Sequence, residues 1–125
     1  MLYLGCAITV IVEEVIFCFT EYMKKDHFAL LCVATNIATN LTLNLVLDYF
    51  NIVVISFKKD SISNLMILHS AFMILTAEII VVVIEYAIYS AAYGRSEKLF
   101  MITAGANTAS FLLGILLFGI PFLQV

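Results

Sequence analysis

The sequence predicts an all-α, four-helix transmembrane bundle. Three observations carry this. The chain is 64% hydrophobic and 12% charged, with a mean hydropathy of +1.12, whereas soluble domains are about a quarter charged. Its Lys and Arg residues fall into three short clusters between long apolar stretches. Its single Pro, at position 121, leaves those stretches free of a helix breaker. The 125 residues suffice for four spans and leave no room for a separate soluble domain.

The first helix is expected from about residue 2 to 23, where Lys24-Lys25-Asp26-His27 stops it. Glu13 and Glu14 interrupt what would be the apolar region of a signal peptide, and no positive segment precedes it, so no cleavable leader is expected. The second helix, about 28 to 57, holds Asn36, Asn40, Asn44 and Asp48 at steps of four, then Asn51. Four residues advance an α-helix by about 400°, so these side chains form one stripe, which Thr39 widens. Lipid supplies no hydrogen bonds, so such a stripe should face polar groups on other helices. The third helix, about 62 to 92, follows a cap at Ser61 or Ser63. Gly94 suits a helix C-cap and Ser96 the next N-cap. The fourth helix, about 97 to 120, ends at Pro121. Short loops make successive helices antiparallel. The second and third helices, each about 30 residues or 45 Å long, exceed a hydrocarbon core of about 30 Å. Either they tilt strongly or their shared hairpin, around residues 50 to 68, projects beyond the outer face; projection is expected, because polar residues thicken there, with Asp48, Asn51 and His69 near that interface. His69 has no second His near it and reads as an interfacial residue.

Loops one and three hold Lys24, Lys25, Arg95 and Lys98, against Lys58 and Lys59 in loop two. This bias places loops one and three in the cytoplasm and both termini outside, in a multi-pass protein of the cell (inner) membrane.

Counted from the cytoplasmic end at about 1.5 Å per residue, Glu14, Asn36, Asn40, Glu85 and Asn107 all lie roughly 12 to 18 Å deep. Glu78 and Asn44 make a second layer above them. Glu14 and Glu21 are seven residues apart, as are Glu78 and Glu85, so each pair shares a helix face. Thr103, Asn107, Ser110 and Gly114 form one stripe on the fourth helix, and Ala106, Ser110 and Gly114 permit close helix approach. Glu13, about 100° around the helix from Glu14, serves either the same layer or a second protomer. The candidate ion-binding residues are thus Glu14, Asn36, Asn40, Glu78, Glu85 and Asn107, with Glu13, Asn44, Asp48 and Ser110 in secondary positions.

Intramembrane carboxylates without a cationic side chain at their depth need compensation. They hold a proton, bind a small cation, or line a hydrated cavity. All three suit binding and translocation of a proton, metal ion or organic cation. The competing class is a structural or accessory membrane subunit, because Asn and Thr stripes also hold helices together through interhelical hydrogen bonds. The lipid bilayer is the surrounding medium under either reading, and a homo-oligomer or a membrane-protein partner is expected. Cys6, Cys18 and Cys32 lack CxxC spacing and read as small hydrophobes. No enzyme motif, cofactor signature or basic nucleic-acid-binding patch is present.

Thr35-Asn36-xx-Thr39-Asn40, the run from Glu78 to Glu85, and Ala106-Asn107-xx-Ser110-Phe111-xx-Gly114, with Glu in the first helix, resemble a broad group of small bacterial four-helix membrane proteins. In that group the second Thr-Asn pair is often followed by Pro; here Leu41 follows it. The resemblance implies the fold and brings no assigned function. Tyr3-Leu4-Gly5 followed by Glu14-Val15-Ile16 is similar, over the first helix alone, to small multidrug resistance transporters. That likeness implies a proton-coupling role for Glu14. The other three helices lack the aromatic motif of those transporters and carry more Asn and Glu.

Overall fold

The computed structural model describes residues 2–49 and 64–118, and side chains within 6–46 and 72–117 of these. Among the described residues four α-helices form: α1 (Leu2–Cys18), α2 (Phe28–Tyr49), α3 (Asn64–Tyr93) and α4 (Glu97–Phe118), with a 3₁₀ turn at Glu21–Lys24 between α1 and α2. Helix is the required state for these segments in lipid, because it closes every backbone hydrogen bond internally. Three of the helices are long and apolar enough to cross a membrane, over Phe28–Val46, Phe72–Tyr93 and Glu97–Leu117. α1, of 17 residues, packs with them. The chain is a multi-pass helical membrane protein.

Each helix packs against its neighbours in sequence, and α1 closes the ring against α4. The outward faces are apolar: Ile11, Leu30, Leu45, Phe72, Ile79, Met101 and Leu116 are all exposed. In water such a surface would be a liability; here it is the face offered to lipid.

The first helix ends earlier than expected, at Cys18 instead of near Met23. Thr20 adopts an extended backbone, φ −112° and ψ 161°. Its N–H and its Oγ1 both donate to the Phe17 carbonyl, at 2.9 and 2.7 Å. That satisfies one of the carbonyls a helix end leaves open and turns the chain. Glu21 therefore lies beyond α1 and does not extend the face of Glu14. α2 is described to Tyr49, and the rest of the expected second helix, the Ser61 and Ser63 caps, the projecting hairpin and Asn51 lie outside the described residues, as do the side chains of Asp48 and His69.

The loop end of the bundle is an aromatic cluster. Phe17 and Phe28 stack with ring centroids 5.0 Å apart, and both meet Tyr89, at 5.7 and 5.6 Å. Phe28 also meets Tyr22 at 5.9 Å and Tyr93 at 5.2 Å. Around it the loops are tied down. Tyr22 Oη and Ser96 Oγ are 2.7 Å apart, Tyr93 Oη donates to the Asp26 carbonyl at 2.9 Å, and Lys25 lies over the Tyr22 ring, 4.9 Å from its centroid. Lys98 Nζ lies 2.7 Å from Glu21 Oε1 on the exposed surface. The hydrogen bond and charge of Lys98 hold the Glu21 carboxyl below its ordinary range.

The third turn follows the predicted chemistry. Gly94 has a φ of 88°, where a β-carbon would be strained, and its N–H donates to Ser90 O at 3.0 Å. Ser96 caps α4, its Oγ accepting the Leu99 N–H at 2.9 Å.

Candidate functional site

One polar layer crosses the bundle interior and draws on all four helices. Its centre is Glu85 of α3, which has no exposed surface. Thr39 Oγ1 of α2 donates to Glu85 Oε1 at 2.8 Å, and Asn107 Nδ2 of α4 donates to Oε2 at 2.6 Å. Helical spacing explains the donors. Asn107 lies four residues after Thr103, and both face inward. Thr35 and Thr39 do the same on α2.

α1 supplies Glu13, also without exposed surface. Its Oε1 lies 3.4 Å from Ser110 Oγ, whose stronger bond, at 2.9 Å, goes to the Asn107 carbonyl. Glu13 Oε2 is buried without a hydrogen-bond partner. Beside it lies the Asn36 side chain, whose Oδ1 is likewise buried and unpartnered. The Asn36 amide nitrogen donates to Cys32 Sγ at 3.6 Å, and Tyr89 Oη donates to the same sulfur at 3.5 Å. The layer thus continues through Cys32 to the aromatic cluster.

The structure brings Asn36, Glu85, Asn107 and Ser110 together with Glu13. The remaining candidates with described side chains lie at the margin of this layer, as Glu14 and Glu78 do, or turn away from it. Glu14 is only half-buried and lies next to Cys32, with its Oε1 lacking a partner. Asn40, half-buried, turns its amide back to the Asn36 carbonyl at 2.9 Å, and Asn44 turns back to Asn40 O at 2.8 Å. Thr39, not Asn40, is thus the α2 side chain bonded to Glu85. Glu78 is half-buried along α3. Thr39 and Cys32 are the contributors that spacing alone missed. Thr39 was visible only as the edge of the Asn stripe, and Cys32 only as one apolar residue among many.

Among the described residues, Lys24, Lys25, Arg95 and Lys98 all sit at the loop end, outside the layer. No group of three or more His, Cys, Asp or Glu among them is placed to hold a metal ion. On the lipid side, an apolar groove of about 280 Å³ runs between α2 and α3, lined by Ala38, Thr42, Ala77, Ile80 and Ile84, with Thr39 in its wall.

Fold and site together define a multi-pass helical membrane protein with buried Glu and Asn side chains joined across its helices. No protein-family model, no curated protein and no solved structure matches the chain.

Proposed function

We propose that the chain binds and translocates a small cation through the layer of Glu13, Asn36, Glu85, Asn107 and Ser110. The observation that carries this reading is the pair of fully buried carboxyl groups, on α1 and α3, with only neutral donors around them. Two ionised carboxylates in one dry layer cost several kcal/mol each, so at least one positive charge accompanies them, as a proton or an ion. Glu85 is the charged anchor, and Asn107 and Thr39 orient it. Asn36 offers a free carbonyl oxygen to whatever Glu13 holds.

Liposomes carrying the purified protein and a trapped pH- or cation-sensitive dye test the reading. Under an imposed gradient the wild type is expected to conduct protons, or Na⁺ or K⁺, and Glu85→Gln to fall to the rate of empty liposomes. Equal rates for wild type and empty liposomes would overturn transport. They would favour the second reading, a structural or accessory subunit, which draws support from the donor that each Glu85 oxygen takes from a neighbouring helix.

We further place loops one and three in the cytoplasm, on the positive-inside bias of Lys24, Lys25, Arg95 and Lys98. A cysteine at Lys25, with Cys6, Cys18 and Cys32 replaced by Ala, should resist an impermeant thiol reagent applied to intact cells and react after the cells are opened. Reaction in intact cells would reverse the orientation.

A further inference from the structure

The two buried carboxyls of the layer have unequal surroundings. Glu85 receives a donor on each oxygen, at 2.8 and 2.6 Å. The Asn107 bond is shorter than an ordinary N–H···O bond, as an ionised carboxylate attracts, and the Thr39 bond is of ordinary hydroxyl length. Glu13 is poorly served. The one hydroxyl hydrogen of Ser110 is committed to the Asn107 carbonyl at 2.9 Å, which leaves the 3.4 Å approach to Glu13 Oε1 a weak contact. The Asn36 side chain lies within hydrogen-bonding reach of the Glu13 carboxyl; with its Nδ2 turned to Cys32 Sγ at 3.6 Å, Asn36 Oδ1 and Glu13 Oε2 are each a buried acceptor without a partner. Two acceptors cannot satisfy one another, and buried polar groups without partners are rare and costly. A single hydrogen on Glu13 Oε2, donated to Asn36 Oδ1, completes both.

We propose that Glu13 is the proton-holding group of the layer, carried as the neutral acid with its Oε2–H donated to Asn36 Oδ1, while Glu85 carries the charge. This deepens the cation-exchange reading, on which it rests for its purpose, by naming the cation as a proton and Glu13 as the residue that takes and releases it. Loading forms the Oε2–H bond with a proton from water. Release breaks that bond, returns the proton to water, and leaves a carboxylate facing Asn36. A metal ion fits less well, because hard cations take six or more oxygen ligands and only these two oxygens of the pair are unpartnered.

The groups facing Glu13 from each element fit this assignment. α3 presents Glu85 and Glu78, α2 presents Cys32 and Asn36, α4 presents Ser110, and Glu14 adjoins it on α1. None of these is a cation, so nothing else in the layer compensates a charged Glu13. Glu85, already solvated by two donors, is the better place for the one charge. Two carboxyls close together in low dielectric divide in this way, one ionised and one neutral.

Infrared spectroscopy of the full chain in lipid nanodiscs, with ¹³C-carboxyl-labelled glutamate, reads the assignment directly. At neutral pH a carboxylic-acid C=O band that shifts with the label is expected. It should vanish in Glu13→Gln and persist in Glu14→Gln and Glu85→Gln. Asn36→Leu should move it to higher frequency, because the acid loses its acceptor. If Glu13→Gln does not fold, Glu13→Asp replaces it, and the labelled glutamate band should then disappear. Absence of a protonated glutamate band in the wild type would overturn the proposal, and would mean that the Asn36 amide is reversed, with its N–H on an ionised Glu13 and its oxygen on the Cys32 thiol. A band lost in Glu85→Gln and kept in Glu13→Gln would overturn it by exchanging the roles. The readout is separable from transport. A Glu13 band without flux removes the function and leaves the assignment. Flux without that band does the reverse.

Discussion

Replacing Asn107 with Leu is expected to destabilise the bundle by about 2–3 kcal/mol, more than replacing Glu85 itself. Asn107→Leu takes the donor from Glu85 Oε2 and leaves that oxygen buried and unmatched, at full desolvation cost. Glu85→Leu removes the group that is expensive to bury. The donors it leaves behind keep other acceptors: Asn107 retains the Thr103 carbonyl at 3.1 Å, and Thr39 retains the Thr35 carbonyl at 3.0 Å. Replacing a buried charge together with its need for partners is often nearly neutral, whereas removing one partner alone is not. Reversible unfolding in mixed lipid–detergent micelles measures both. A larger loss for Glu85→Leu than for Asn107→Leu would show that Glu85 is not an ionised acceptor in this layer.

Phe28→Ala is expected to cost about 3 kcal/mol in the same assay, near the lower limit for a buried aromatic. Phe28 is fully buried at the start of α2 and meets four aromatic rings, those of Phe17, Tyr22, Tyr89 and Tyr93. In a bilayer, helix association gains little from the hydrophobic effect, because lipid is as apolar as the core. What is lost is packing: a void opens where four rings met, and their dispersion contacts go with it. Phe19, 88% exposed, is the matched control. Phe19→Ala should change stability by a few tenths of a kcal/mol at most, as surface substitutions do. Similar losses at the two positions would mean that the cluster does not hold the loop end together.

Much of this architecture was readable from spacing. The runs of apolar residues between charge clusters fixed three helices to within a few residues at their described ends, and Gly94 and Ser96 marked the third turn. Glu85, Asn107, Ser110 and Asn36 were found because helical period and depth together placed them on inward faces. Glu13 and Glu14 could not be separated this way. They are adjacent, and the rotation of α1 that buries one and half-exposes the other is set by packing against α2 and α4. The seven-residue spacing from Glu14 to Glu21 pointed to Glu14, but Thr20 ends the helix before Glu21 is reached. Thr39 and Asn40 posed the same problem on α2. Both side chains reach their own helix backbone, Asn40 to the Asn36 carbonyl and Thr39 to the Thr35 carbonyl, and the Thr39 hydroxyl, which faces inward, also meets Glu85 of α3. Such self-bonding has no signature in a list of residue types.

That self-bonding bears on biogenesis. Thr76, Thr103 and Thr108 each donate to the carbonyl four residues earlier, as Asn40 and Asn44 do. A segment closed in this way leaves the insertion machinery with most of its polar groups already matched, whatever its neighbours are doing. The two described segments with a fully buried carboxyl depart from this: Glu13 of α1 has its hydroxyl contact on α4, and Glu85 of α3 has its donors on α2 and α4. Those donors come from the segments made immediately before and after it, Thr39 on α2 and Asn107 on α4. α3 therefore enters the membrane with one donor already waiting beside it. It must hold its carboxyl half-matched until the next segment emerges from the ribosome. A nascent chain stalled between α3 and α4 would be the species that chaperones and membrane proteases meet first.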